Sequence, residues 1–491
     1  MPSWLENILP ILVLLSVCGF VIARLPKVEG VSHSGAYRRR RVLNWLPLGL
    51  TYAFLYMGRY NLTVSKGAFE EMQDAAGGAL MGNEDFAVIF LVGTWVYGLS
   101  FLINGPLADR FGGKKAILLG ALGAAVANLL MGAATWQVVA QGAVAPFVQE
   151  HFVLVFSVLY GLNMYFQSFG AVAIVKVNAP WFHLRERGVF GAIFGVLISL
   201  GIYFAYDGGK AILANFGLVE VFVIPAILLM GFWVLDLLLV QNTPGEAGQV
   251  DFDVADASSG DDGPQLGAVE VFRRMVTNPV IMTIAAIEFC SGFLRQAIMQ
   301  WYRTFAKQTN GTLGFASGFV YDNWGLMLCC AGILGGVLAG VISDHLFQAR
   351  RGPVAFILYA SMLVGSVLLL FLFDTPLVGV LAVLLSTCVI GVHGMLSGTA
   401  SMDFGGKKNV GVAVGLIDGF VYLGTGFMAL TYGLLLPKEQ FDAAGNLIGP
   451  ATDPKMWVAW PAAMIPLALI GTVLALRLWN ARPAGKSAAA H

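Results

Sequence analysis

Gly105-Pro-Leu-Ala-Asp109-Arg110-Phe-Gly112-Gly-Lys114-Lys115 closes one apolar segment of the chain, and Gly340-Val-Ile-Ser-Asp344-His345, continuing to Arg350-Arg351-Gly352, closes another. Both read small residue, three others, aspartate, then basic residues. Fifty positions before Asp109 stands Arg59, and 49 before Asp344 stands Arg295, each inside an otherwise apolar stretch. The chain therefore repeats itself in register. An arginine at mid-membrane costs about 2.5–3.5 kcal/mol on insertion scales, so two of them at equivalent places call for an anionic partner or a watery cavity.

The segments around these motifs are membrane-length. With 57% hydrophobic and 12% charged residues in 491 and a mean hydropathy of +0.75, the composition excludes an ordinary soluble domain. Apolar runs long enough to cross about 30 Å of hydrocarbon as helices fall at 5–24, 42–62, 86–107, 115–135, 151–175, 188–206, 219–240, 279–300, 318–343, 353–373, 376–402, 409–436 and 456–478. These predict an all-α polytopic membrane protein: two six-helix bundles preceded by an additional N-terminal transmembrane helix. The units are 1–41 (anchor and basic segment), 42–240, a polar linker at 241–276, 277–480 and a tail at 481–491. Asp251, Asp253, Asp256, Asp261 and Asp262 make the linker polar and poor in apolar residues, which predicts mobility. The 60 glycines read as close helix packing.

Lysine and arginine fix the expected orientation. Taking the segment after the first helix as cytoplasmic gives 21 basic residues to that side and 6 to the other, with Arg59 and Arg295 completing the 29. The N-terminus is then outside and the C-terminus cytoplasmic, in a bacterial inner membrane. Residues 1–7 hold Glu6 and no lysine or arginine, unlike the positive start of a secretory signal. The five cysteines have no metal-ligand spacing. No nucleotide-binding loop or covalent catalytic grouping appears, so neither an enzyme, a cofactor, a metal nor a nucleic-acid partner is expected.

The loop Gly-x-x-x-Asp-Arg-x-Gly-x-Lys-Lys at 105–115 resembles the signature of the major facilitator superfamily. Tyr52-Ala-Phe-Leu-Tyr56-Met-Gly-Arg59-Tyr-Asn61, Trp181-Phe-His-Leu-Arg185-Glu186-Arg187-Gly188 and Gly415-Leu-Ile-Asp418-Gly-Phe-Val-Tyr422-Leu-Gly424 further resemble the organophosphate:phosphate antiporters. The resemblance runs over most of 42–478. It implies the two-bundle fold, and in glycerol-phosphate and hexose-phosphate carriers one arginine from each half binds phosphate; Arg59 and Arg295 fall on those positions. It also implies that Asp109 with Arg110, Asp344 with its basic neighbours, and Arg187 form cytoplasmic ion pairs gating one face. Two cationic groups of those carriers are missing: Ile198 stands for a histidine and Phe101 for a lysine, and Gln300 stands where relatives often have an acid.

The residues support phosphate recognition on their own terms. Guanidinium is planar, stays charged and offers paired donors to phosphate oxygens, where lysine acts as a point charge. Tyr52, Tyr56 and Arg59, at i, i+4 and i+7, share one helical face, and Tyr422 joins them through the resemblance. Glu288, seven residues before Arg295, is placed to neutralise it when the site is empty. Asp418 and His393 are further candidates for proton or ion-pair sites, against the alternatives of a water-lined carboxylate and a helix–helix hydrogen bond. These readings predict a monomeric carrier exchanging a small phosphorylated metabolite, a sugar phosphate or glycerol-phosphate-like anion, for inorganic phosphate by alternating access. A proton-coupled organic-anion carrier, or a sensor built on a transporter fold, stays open.

Overall fold

The computed structural model describes residues 16, 33–72, 78–183, 187–252, 268–342, 346–347, 351–397, 401–442 and 446–480. The first apolar segment apart from Ser16, the acidic stretch 253–267, Asp344 and the tail from 481 lie outside them, as does the side chain of Arg187.

Twelve helices align with the twelve remaining apolar segments: α1 (Gly35–Glu70), α2 (Asn83–Phe111), α3 (Gly113–Val139), α4 (Phe152–Asn178), α5 (Arg187–Tyr203), α6 (Glu220–Leu239), α7 (Pro279–Gln308), α8 (Trp324–Val341), α9 (Arg351–Leu372), α10 (Val378–Met395), α11 (Ser401–Leu435) and α12 (Met464–Arg477). Among the described residues, nine helical stretches are long and apolar enough to cross a membrane by length and composition. The helix ends differ from the hydropathic ones because backbone hydrogen bonding continues past the apolar stretch. Ser34 caps α1, its Oγ accepting from the Tyr37 N–H, and the helix runs for 36 residues rather than over 42–62. Asn278 caps α7, its side chain accepting from the Val280 and Ile281 N–H groups ahead of a proline at the first helical position, where a missing N–H costs nothing. The segment read as one helix over 318–343 is broken at Asn323.

Helices α1 to α6 pack among themselves, as do α7 to α12, and two seams join the groups: α2 with α11, and α5 with α8. In the α2/α11 seam a Cβ on Gly98 would lie 3.0 Å from the Gly419 carbonyl oxygen, and one on Gly415 3.0 Å from that of Phe101. Backbones therefore meet almost directly there. The α5/α8 seam uses a different device. After α5 the chain makes a π-helical turn, Phe204–Gly208, that places Asp207 so that its carboxylate accepts from the Gly325 and Leu326 N–H groups, both at 2.8 Å. A carboxylate on a helix N-terminus satisfies orphan donors and meets the favourable end of the helix dipole.

The stretch read as a mobile linker is built in part. Gln241 N donates to Asn44 Oδ1 at 2.7 Å, Lys114 N to Asn242 Oδ1 at 2.9 Å, and Gly245 N to Asp251 Oδ1 at 2.7 Å. At its other end Ala268–Thr277 is helical and packs on α11. Two of the four clustered arginines are also anchored: Arg40 donates to the Leu239 carbonyl at the end of α6, at 2.7 Å, and Arg41 to that of Trp181, at 3.4 Å.

The tightest crossing within a bundle is α7 on α11. A Cβ on Gly292 would lie 1.9 Å from the Val421 carbonyl oxygen, and one on Gly424 2.0 Å from that of Phe289. Neither obstacle is a side chain that can swing away. Gly292→Ala should therefore force the helices apart at a cost of at least about 1–3 kcal/mol, seen as a lower unfolding midpoint in detergent. Gly336→Ala, whose Cβ meets nothing within 4 Å, should leave the midpoint unchanged or raise it slightly; equal midpoints for both variants would contradict this packing.

Candidate substrate-binding site

Arg59 sits about two-thirds of the way along α1 and is 2% exposed. Its Nε donates to Gln167 Oε1 at 3.1 Å, one terminal nitrogen to the Tyr422 hydroxyl at 2.7 Å and the other to the Tyr97 hydroxyl at 2.8 Å. Rings surround the guanidinium: its centre lies 4.6 Å from the Tyr56 ring centroid and 4.5 Å from that of Tyr97. All these partners are formally neutral. The arginine thus keeps its positive charge in a buried pocket of phenols and an amide, and one of those phenols, Tyr422, belongs to the opposite bundle. The carbonyl behind it is also used, accepting from the Tyr160 hydroxyl at 3.0 Å.

Arg295 sits at the matching place in α7, is 9% exposed, and its Nε is buried without a hydrogen-bond partner. Tyr56 and Tyr422 lie close enough to interact electrostatically with both guanidiniums. Tyr52 stands against Tyr56, ring centroids 5.5 Å apart. The structure therefore brings Arg59, Arg295, Tyr52, Tyr56 and Tyr422 to one central region. Beside them a polar chain crosses between the bundles: Gln296 Nε2 donates to the Tyr60 hydroxyl at 3.1 Å, Gln300 Nε2 to Gln296 Oε1 at 2.9 Å, and the Thr63 hydroxyl to Gln300 Oε1 at 2.6 Å. Gln300, read as a missing acid, instead ties α7 to α1.

The other candidates are placed as follows. Glu288 was expected to face Arg295 along α7. Its Oε2 lies 2.8 Å from His393 Nδ1 on α10; the carboxylate still interacts electrostatically with Arg295 but makes no hydrogen bond to it, and Arg295 keeps an unpartnered nitrogen. Asp418 Oδ1 accepts from the Ser397 hydroxyl. Asp109 accepts from Lys176 Nζ at 2.6 Å, a pair from α2 to α4 inside one bundle rather than a clasp between bundles; Arg110 is exposed. Phe101, at the position of the family lysine, lies edge-on to Tyr97 with centroids 4.8 Å apart and 6.3 Å from Tyr422.

Sequence reasoning missed Tyr97, Gln167 and Tyr60. Gln167 carried a signal: with Asn163 four residues earlier it makes a polar stripe in the apolar α4, and Gln167 Nε2 donates to Asn163 Oδ1 at 3.0 Å. Also missed was a buried polar latch at the end of the molecule away from Asp109. Lys66 Nζ lies 3.2 Å from Glu70 Oε2 and 3.4 Å from Glu439 Oε1, and Gln308 Nε2 donates to Glu70 Oε1 at 2.9 Å and Glu439 Oε1 at 2.7 Å. Asn83 completes it, its N–H donating to Glu439 Oε2 at 2.9 Å. More exposed pairs, Lys307 with Glu71 at 2.8 Å and Lys210 with Asp322 at 3.1 Å, join the halves at the same end and add little energy individually.

Two pseudo-equivalent bundles enclosing one arginine from each identify the architecture, and a sequence model described as "Major Facilitator Superfamily" matches residues 48–429. The chain belongs to that superfamily. It is an integral multi-pass membrane protein of a family of transporters, not enzymes. Among curated proteins, this superfamily member is similar to a glycerol-3-phosphate transporter of Bacillus subtilis, 26% identical over 441 residues (86% of this chain, 92% of the relative). It is also similar to the membrane sensor protein UhpC of Salmonella typhimurium, 24% identical over 399 residues (79% and 83%), and to a probable hexose phosphate transport protein of Chlamydia pneumoniae, 22% identical over 426 (81% and 84%). These relatives match the organophosphate:phosphate antiporter resemblance of the 52–61, 181–188 and 415–424 motifs. Among solved structures, a bacterial homologue of the human lysosomal transporter Spinster, in an inward-facing and unoccupied conformation, superposes with a TM-score of 0.60 at 14% identity, covering 91% of this chain and 97% of the other. That likeness supports the fold alone.

Proposed function

We propose that this superfamily member is a secondary active transporter exchanging a small phosphorylated metabolite for inorganic phosphate by alternating access, with the phosphate group held between Arg59 and Arg295. One observation carries the proposal: two buried guanidiniums stand on equivalent helices of the two bundles, one bonded to neutral groups and the other with a free nitrogen. Two fixed positive charges without acids bonded to them suit a doubly negative phosphate. The relatives named for glycerol-3-phosphate and hexose phosphate support this substrate class. An anion bridging both bundles favours the states in which both arginines reach it, and so lowers the barrier to reorientation only when the site is filled. We place the chain as a monomer in a bacterial cytoplasmic membrane, N-terminus outside.

Flux decides the matter. Proteoliposomes loaded with phosphate should take up labelled phosphate or glycerol 3-phosphate, and the exchange should persist when a protonophore collapses the pH gradient. Accumulation driven by a proton gradient in vesicles empty of any counter-anion would favour the proton-coupled carrier. Binding without flux would favour a sensor, the reading that the similarity to a membrane sensor protein over 79% of the chain keeps in view.

A further inference from the structure

The Glu288–His393 pair has no part in gripping the anion, and its surroundings are unusual for a charged group. Glu288 is fully buried. One carboxylate oxygen meets His393 Nδ1 at 2.8 Å, while the other, Oε1, is buried without a hydrogen-bond partner. Among the described residues, the groups that interact with it are Arg295 and Cys290 on its own helix, Tyr359 on α9 and His393 on α10. The Tyr359 hydroxyl is committed to the Ile287 carbonyl at 2.6 Å, so it does not relieve Oε1. His393 is 22% exposed through its side chain, whereas Glu288 is reached only through it.

With one proton on Nδ1, the pair is a neutral imidazole donating to a carboxylate, and carries one negative charge with an unsatisfied oxygen in a buried site. A second proton, on imidazole Nε2 or on the carboxylate, removes that net charge. Protonation therefore decides whether this buried site carries a net charge. We propose that Glu288 and His393 form a proton-binding site whose occupancy is linked to the anion held by Arg295.

The linkage follows from charge and distance, and rests on the anion reading above. With the pair neutral, Arg59 and Arg295 present two positive charges, matched to a dianion. With the pair negative, the net charge of the site is one lower and suits a monoanion. Seven residues along a helix is about 10.5 Å. At an effective dielectric of about 20, a unit charge at that distance changes monoanion affinity about tenfold and dianion affinity more than about a hundredfold. By reciprocity, a bound dianion raises the affinity of the pair for its proton by the same factor. The proton then accompanies the anion in both directions, which leaves exchange intact and makes it pH-dependent.

The test uses inorganic phosphate and the full chain in detergent. The ratio of phosphate Kd at pH 8 to that at pH 6 should be several-fold larger in the wild type than in Glu288→Gln, because phosphate's own titration is common to both. Equal ratios would overturn the proposal. A second measurement needs no anion: with 15N-labelled histidine, the His393 ring nitrogens, identified by their loss in His393→Gln, should titrate with pH, and Glu288→Gln should move that midpoint to lower pH. An unmoved midpoint would also overturn it. If the wild type fails to bind phosphate, the anion site falls, and the histidine titration still decides the fate of the pair.

Discussion

Replacing Arg59 or Arg295 by alanine is expected to weaken phosphate binding by at least about 30-fold, and by up to several thousandfold, the range for truncating one partner of a buried charge-assisted contact. The two should not respond alike to lysine. Arg59 uses three nitrogens on three partners at fixed angles, Gln167, Tyr422 and Tyr97; an ammonium cannot serve all three, so Arg59→Lys should behave almost as the alanine variant does. Arg295 has a nitrogen unspent, and Arg295→Lys should retain part of the affinity. Isothermal titration with phosphate, alongside the unfolding midpoint of each variant, separates lost binding from lost structure. Phosphate Kd within threefold of wild type in both alanine variants would remove the proposed site.

A comparable effect is expected at the buried latch. Removing one partner of a buried ion pair costs about 3–5 kcal/mol because it strands the other charge. Lys66→Ala leaves Glu70 and Glu439, both buried, sharing Gln308 with no cation between them. The arrangement that holds this end closed should lose its advantage by about 100-fold or more, at about 1.4 kcal/mol per factor of ten. Thr63→Cys in a background freed of the native cysteines reports the change, since Thr63 lies between Arg59 and Lys66 on α1 and binds Gln300 across the interface. Labelling by a charged maleimide should be at least about 30-fold faster in the Lys66→Ala protein. Unaltered labelling would mean that the latch contributes nothing to closure.

Much of this molecule could be read before its structure. The apolar segments placed the twelve described long helices, because a span needs about 20 apolar residues wherever it occurs. Hydropathy reports where lipid is, not where a hydrogen-bonded helix stops, so it missed the extra turns of α1 and the break at Asn323. Arg59 and Arg295 stood out because charge is rare in a span. Their company did not: nothing marks Tyr97 among the aromatics of an apolar span, and nothing in the spacing of Lys66 and Glu439 relates residues 373 positions apart. Glu288 shows the limit most directly. Its spacing from Arg295 was correct for one helical face, yet the side chain bonds to His393 on another helix, a choice that packing makes and periodicity cannot see.

Three places described separately lie on a single rod. α1 carries Tyr37, whose hydroxyl donates to the Trp181 carbonyl, then Arg59, then Lys66 and Glu70. Its one internal proline is Pro47, and from there to Glu70 the helix continues unbroken for about 36 Å. About two helical turns separate Lys66 from Arg59, so a tilt at the Lys66 end is carried toward Arg59 along one helix. A ligand that drags Arg59 toward Arg295 exerts torque on the latch in the same stroke. The site and the seal are thus geared by covalent stiffness, and a glycine pair placed between residues 59 and 66 would act as a clutch.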